Sequence, residues 1–251
     1  MAIKRLLLSR HGESEFLKNN LFCGWVDSPL TEKGKLQSIE AGKLLKKAGV
    51  KIDECYTSFL SRAEQSLQII LDYIGQSTIP IYRHWRLNER HYGALTGLNK
   101  KQTIEKYGRE QVQLWRRSYD VVPPPMEPDH PCYDQIRNNP KFQEYGISLD
   151  VIPNAESLKT TVERILPYWN DNIVPKLKQG KTILVVCHGT VIRALVKHLE
   201  KLTDDEISLV NIPTAIPLIY EFDSQFEIVK KREYLADAET VKKALDSLKV
   251  S

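Results

Sequence analysis

The chain has no apolar run approaching 18 residues, so nothing in its 251 residues reads as a membrane-spanning helix. It has no basic block and no aromatic-interleaved basic repeat; its lysines and arginines are spread along the whole length, which argues against a nucleic-acid partner. Only four cysteines occur, Cys23, Cys55, Cys132 and Cys187, far apart and without a CxxC pair. That spacing argues against a disulfide framework and a zinc site, and fits reduced thiols in a cytoplasmic protein. There is no internal repeat and no linker-like stretch, so residues 1–251 are expected to form one domain. The first residues, Met1 to Leu8, have the charge order of a signal peptide. Their apolar run is too short and leads straight into Arg10-His11, so they are expected to form the first strand instead. What remains is an ordinary composition, 41% hydrophobic and 27% charged, with a formal net charge of +4 that suits a small acidic metabolite.

Strand and helix signals alternate. Strands are expected over 3–9, 52–57, 79–82, 182–187 and 217–222, and helices over about 32–48, 61–74, 99–107, 109–118, 191–201 and 237–248. Thr31 caps the first of these helices and Gly49 stops it. A long helix over about 156–179 should be kinked or divided by Pro167 and Pro175. Residues 86–97 lack periodicity and read as a loop. Residues 121–154, rich in proline, read as a long functional or mobile loop. Alternation of this kind predicts an α/β fold with a mainly parallel open sheet flanked by helices on both faces.

Two histidines followed by glycine stand at the ends of apolar runs, in Leu6-Leu7-Leu8-Ser9-Arg10-His11-Gly12 and in Ile183-Leu184-Val185-Val186-Cys187-His188-Gly189. Ligands of open α/β sheets bind beyond the carboxyl ends of the strands, so both imidazoles are expected at one mouth. His11 alone would pass for a capping or core histidine. Recurrence of the device, with Arg10 adjacent, points to an anion, and phosphate first. One imidazole would attack phosphorus while the other, if protonated, steadies the equatorial oxygens. Gly12 would let the backbone approach an oxyanion. Arg62, at a helix start after a strand, would add a guanidinium and helix N–H groups. Glu89 suits proton transfer at a hydroxyl. Arg90, Lys100 and the Arg116-Arg117 pair would take a second anionic group, although helical arginine pairs are more often surface charges.

These residues resemble the cofactor-dependent phosphoglycerate mutase family, a branch of the histidine phosphatase superfamily. The resemblance covers nearly the whole chain. It is carried by Arg10-His11-Gly12-Glu13-Ser14, Phe22-Cys23-Gly24-Trp25, Tyr56-Thr57-Ser58 with Arg62, and Leu87 to Lys100. Trp115 to Tyr119, Pro123 to Pro131, His188-Gly189 and Asn211 to Thr214 extend it. The resemblance implies the histidine-phosphatase fold and a glycolytic isomerase that interconverts 3- and 2-phosphoglycerate. His11 would carry a phosphoryl group first supplied by 2,3-bisphosphoglycerate, and give it to the free hydroxyl of a bound monophosphoglycerate. The bisphosphate so formed would reorient and return its other phosphoryl group. Arg10, Arg62 and His188 would steady the group in transfer, and Glu89 would move the hydroxyl proton. Ser14, Cys23, Gly24, Tyr92, Lys100, Arg116, Arg117, Gly189 and Thr190 fall at substrate-contacting positions. The family needs no metal, and its members often form homodimers or homotetramers.

Departures from the family pattern bear on the activity. Leu17 stands where asparagine is usual near the phosphate, Thr190 replaces the asparagine after His-Gly, and Cys23 stands where threonine or serine is common. The sequence ends at Lys249-Val250-Ser251 without the Gly/Lys-rich tail that helps close the family's site. These features keep open a phosphatase acting on bisphosphoglycerate or another phosphomonoester, and more remotely a binding protein that has lost the chemistry. Ser14, at a position typically glycine in bisphosphoglycerate mutases, favours the isomerase over the bisphosphate synthase.

Overall fold

The computed structural model describes residues 3–249, and of Lys249 only the backbone. Expectations resting on Met1, Ala2, Val250 and Ser251 lie outside the described residues. Six strands form one sheet: β1 (Lys4–Arg10), β2 (Glu54–Thr57), β3 (Ile81–Arg83), β4 (Ile183–Cys187), β5 (Leu218–Phe222) and β6 (Ile228–Tyr234), in the order β3-β2-β4-β1-β5-β6. The run from β3 to β1 is parallel, while β5 pairs antiparallel with β1 and β6 antiparallel with β5. The sheet is therefore mixed, its four expected parallel strands running from the β3 edge to β1 and its two antiparallel strands forming the other edge. β1 and β4 are neighbours with Arg10 opposite Cys187, so the two His-Gly turns leave the sheet side by side.

Continuous apolar strands imply cover on both faces, and the packing follows the pleat. Leu6 and Leu8 of β1 join Ile183, Val185, Leu218 and Tyr220 on one face, packed by α8 (Leu158–Tyr168), α9 (Val174–Lys178), α10 (Gly189–Glu200) and α11 (Asp204–Leu209). Leu7 joins Leu184, Val186 and Ile219 on the other, under α2 (Glu32–Lys47) and α3 (Ser61–Ile74). Thr31 caps α2 as expected, its hydroxyl accepting from Gly34 N. Smaller elements surround the carboxyl edge of the sheet: α1 (Glu15–Lys18), α4 (Lys100–Tyr107), α5 (Arg109–Arg117), α6 (Tyr133–Arg137), α7 (Pro140–Glu144) and the final α12 (Ala238–Lys249).

The structure corrects one local expectation, refines another and adds a strand. Residues 121–154 are not a structureless loop. They contain α6 and α7, and they seat Met126, Ile136, Phe142 and Ile152 against Trp25, Phe59 and Trp85. Each of these apolar residues fills its own slot in that cluster, so no periodic stripe announces them. α7 is set locally, by the Asn139 cap and Pro140 in its first turn. The long helix over 156–179 is divided as expected just before Pro175, by a widened π turn, Trp169–Ile173, between α8 and α9, whereas Pro167 lies inside α8. Pro175 lacks an N–H and its ring would strike the carbonyl four residues back; opening the ladder there relieves both. Strand β6 was not anticipated, because Lys230, Lys231, Arg232 and Glu233 hide its alternation. It is pinned instead by charge, with Lys231 and Arg232 on the fully buried Glu200.

The loop over 86–97 is fixed by one buried ion pair that the sequence did not reveal. Arg164 on α8 holds Glu156 at 2.6 Å, with the two side chains only 7% and 3% exposed. The same guanidinium donates to the carbonyls of Arg86, Asn88 and Glu89, and Glu156 accepts from His91 N. Breaking a buried pair strands a charge, so Arg164→Ala should lower stability by roughly 3–5 kcal/mol. Urea unfolding reads this directly: the midpoint should fall sharply with an unchanged slope, whereas a midpoint within error of wild type would deny the clamp its role.

Candidate active site

Beyond the carboxyl ends of β1 and β4 lie two adjoining cavities of about 100 and 60 Å3 that share Arg10, Leu17, Glu89, Tyr92 and Lys100 in their walls. The inner one adds His11, Ser14, Cys23, Gly24 and Arg62; the outer one adds Arg116, Arg117, Gly189 and Thr190. His188 lines neither but stands against His11, the ring centroids 5.0 Å apart. Most of the residues expected at the site thus converge on it, while Gly12 and Arg90 line neither cavity. The outer cavity also takes in Arg193, Asn211, Ile212 and Leu248.

His11 is set up as a nucleophile by its first neighbour in the chain. Its Nδ1 lies 2.6 Å from Gly12 O, and a carbonyl can only accept, so the proton sits on Nδ1 and the Nε2 lone pair faces Arg62 Nε at 3.3 Å. Burial, then Arg62 and Arg10, hold the imidazole well below its ordinary pKa, so it is neutral at pH 7. Arg62 is held by backbone: Nη1 donates to Val26 O at 2.9 Å and Nη2 to Gly24 O at 2.7 Å. Gly24 meets this need with a left-handed φ of 53°. Arg10 donates to Ile212 O, and its Nε is buried without a partner.

Three sequence expectations about this end are corrected. Gly12 is required by packing rather than by an oxyanion: a Cβ there would lie 2.2 Å from Gly34 O, and its N–H already donates to Ser66 Oγ. At the start of α3 the N–H of Ser61 is likewise taken by Asp27. His188 also departs from expectation, since burial followed by Arg62, His11 and Arg10 push its pKa well below the ordinary value. Before an anion binds, it is a neutral donor rather than an imidazolium. It caps α10, so its surroundings include the N-terminus of a twelve-residue helix.

At the other end, positive charge is concentrated with little to balance it. Glu89 is nearly buried, and its Oε1 accepts from Arg90 N. Arg90 is wholly buried over the Tyr92 ring, donates to Arg116 O and leaves Nε and Nη1 unpartnered. Arg193, which sequence reasoning missed, donates to Ile207 O at 3.0 Å and Arg117 O at 3.5 Å, and its Nε has no partner. The available signal was a single charge inside the apolar run Val191-Ile192-Arg193-Ala194-Leu195-Val196. Burial, with Arg117 and Arg90, lowers its pKa to about 9. Among the departures, Leu17 puts an apolar wall in both cavities, Thr190 lines the outer one, and Cys23 donates weakly to Val26 O. Leu248 of α12 closes one side of the outer cavity. Among the described residues no group of three or more His, Cys, Asp or Glu is placed to hold a metal ion. Nor is any helix among them long and apolar enough to cross a membrane.

This arrangement defines a phosphoryl-transfer site built on a neutral histidine and arginines. The sequence matches the histidine phosphatase superfamily (branch 1) over residues 6–139 and 133–233, and the chain belongs to that superfamily. Its fold is shared with a phosphoglycerate mutase from Bacillus anthracis (23% identity, TM-score 0.67, 96% of each chain covered). It is shared equally with a mycobacterial glucosyl-3-phosphoglycerate phosphatase complexed with VO3 (21%, TM-score 0.65, covering 86% of this chain and 92% of that one). A putative alpha-ribazole-5'-P phosphatase from Escherichia coli is similar too (19%, TM-score 0.66, covering 93% and 98%).

Lys100 gives the site a measurable pH signature. Burial first, then Arg116 and Arg10, lower its pKa to about 7, so its charge is present below that pH and lost above it. Sulfate stays dianionic over this range and serves as the probe. Its inhibition constant should rise about tenfold or more between pH 6 and pH 8.5, the worth of a hydrogen bond from a charged donor. In Lys100→Met the dependence should flatten, and a pH-independent wild type would contradict the assignment.

Proposed function

We propose that the protein is a phosphoglycerate mutase that interconverts 3- and 2-phosphoglycerate through a phosphohistidine on His11. The observation that carries this reading is the pair of anion-binding ends on one small site. His11 and Arg62 stand at one end and Arg116, Arg117 and Arg193 at the other, with Arg10, Glu89 and Lys100 in the walls of both cavities. A compact substrate bearing a phosphate and a second anionic group matches that spacing of charge. The buried, unpartnered nitrogens of Arg10, Arg90 and Arg193 are suited to the same ligand. 2,3-Bisphosphoglycerate fits as cofactor, since His11, Arg10 and Arg62 would hold one phosphoryl group and Lys100, Arg116 and Arg117 the remaining anionic groups. When bound it supplies the priming phosphoryl group.

The chain's own residues then act as follows. The lone pair on His11 Nε2 forms the bond to phosphorus as the ester P–O bond breaks, and Arg62 Nε turns from that nitrogen to a phosphoryl oxygen. Glu89 delivers a proton to the departing oxygen, and in the return direction it takes the proton of the attacking hydroxyl. Arg62 keeps its plane while that one bond is exchanged, because Gly24 O and Val26 O hold its Nη2 and Nη1.

Phosphatase action is a second reading, favoured by one observation. The outer cavity adjoins a groove of about 520 Å3, the two sharing Arg116, Arg117, Asn211 and Leu248 in their walls, on the side from which water would come. A coupled assay with 3-phosphoglycerate, with and without 2,3-bisphosphoglycerate, following 2-phosphoglycerate and free phosphate together, separates the two. The mutase reading expects cofactor-dependent isomerisation with little phosphate; phosphate release without isomerisation would replace it with the hydrolase. His11→Ala should abolish turnover. Glu89→Gln should slow transfer to a hydroxyl by about 10²–10⁴-fold, and an unchanged rate would remove Glu89 from the acid–base role.

A further inference from the structure

His188 is held by a residue to which the mechanism above gives no part. Ser58, in the turn between β2 and α3, is completely buried. Its Oγ lies 2.8 Å from His188 Nε2 and accepts a hydrogen bond from Leu60 N at 3.1 Å. With one lone pair engaged by Leu60, the hydroxyl proton has a single acceptor within reach among the described residues, His188 Nε2. The two nitrogens of an imidazole point to opposite sides of the ring. Nε2 faces Ser58, so Nδ1 faces away from it, and it is buried without a hydrogen-bond partner.

The two neutral tautomers differ sharply in this setting. With the proton on Nδ1, the Ser58 hydroxyl donates to Nε2 and one polar atom, Nδ1–H, awaits an acceptor. With the proton on Nε2, that N–H would donate to Oγ, the serine hydroxyl would be buried with nothing to donate to, and Nδ1 would turn a bare lone pair on any incoming phosphoryl oxygen. A buried donor left without a partner is costly, so the first arrangement prevails. It is also the only neutral form able to donate to an anion from the nitrogen that Ser58 leaves unpartnered.

We propose that Ser58 is a positioning residue for phosphoryl transfer: its hydroxyl fixes the His188 proton on Nδ1 and so presents that N–H to a non-bridging oxygen of the group passing to His11. The inference rests on the phosphohistidine reading above and adds no bond change to it. Phosphorus exchanges its ester oxygen for His11 Nε2, the leaving oxygen takes its proton from Glu89, and His188 keeps its own proton throughout. Burial and the flanking guanidiniums of Arg62 and Arg10, which disfavour a doubly protonated ring, leave the tautomer as the property that matters.

Long-range 1H–15N correlation spectra of the full-length protein read the tautomer directly, with His188→Gln identifying the resonances. Wild type should show His188 protonated on Nδ1, and Nε2 protonation would overturn the proposal without any variant being needed. In Ser58→Ala the signals should move toward the Nε2–H form, and the rate of phosphoryl transfer to His11 should fall about 100-fold at little-changed KM, as when one preorganised donor is lost. Ser58→Thr, which keeps the hydroxyl, should recover both the tautomer and the rate. A Ser58→Ala enzyme that loses activity while retaining Nδ1–H would show a merely structural role and overturn the proposal. Wild type that shows Nδ1–H yet never carries phosphate on His11 would defeat the phosphohistidine reading itself, and Ser58's role with it; that result is distinct from failure of the tautomer lock.

Discussion

The arrangement on which the site depends is that four of its arginines, Arg10, Arg62, Arg90 and Arg193, are held by backbone carbonyl oxygens. Arg62 rests on Gly24 O and Val26 O, Arg10 on Ile212 O, Arg90 on Arg116 O, and Arg193 on Ile207 O and Arg117 O. A carbonyl dipole orients a guanidinium without cancelling its charge, so each group is fixed yet still seeks an anion. Arg164, farther back, shows the contrast. It is paired with Glu156, its charge is spent, and its task is to hold the loop that carries Glu89. Among the described residues Glu89 is the one carboxylate in the walls of the two cavities, facing several cations there. Buried charge of this kind is maintained against its own desolvation, as the lowered pKa values of Lys100 and Arg193 record.

Much of this was legible in the chain, for identifiable reasons. Strands β1 and β4 announce themselves as continuous apolar runs, and the histidines that end them are one residue from the sheet, so sequence position translates directly into spatial position. Arg10, His11 and His188 could be placed together on that basis alone. Glu89, Lys100 and the Arg116-Arg117 pair could not, since nothing local says which way an aperiodic loop or a short charged helix turns; their role rested on resemblance to a family. Arg164, Arg193 and Ser58 act through contacts to groups distant in sequence or across an unpredicted turn, and such contacts leave no periodic trace. β6 was hidden by its charges, and residues 121–154 by apolar side chains that each fill a separate slot around Trp25.

Membership of the histidine phosphatase superfamily settles the class of chemistry, while mutase and phosphatase differ only in what reaches the phosphohistidine first. In physical terms that is a competition between a bound hydroxyl beside Glu89 and a water molecule entering past the outer cavity. Leu17 withholds a hydrogen bond from both competitors, whereas Lys100, Arg116, Arg117 and Arg193 favour the bound anion. Leu248 of α12 stands at the mouth where water would enter. The distribution of cations is what inclines the account toward the mutase.

The central claim, that His11 Nε2 carries phosphate, is tested most directly by mixing the protein with isotopically labelled 2,3-bisphosphoglycerate, quenching in base, and mapping the label by peptide mass spectrometry. The account predicts a stoichiometric, acid-labile and base-stable phosphoryl group on the peptide containing His11. Label that never appears on that peptide, or appears instead on Ser14 or His188, would contradict it.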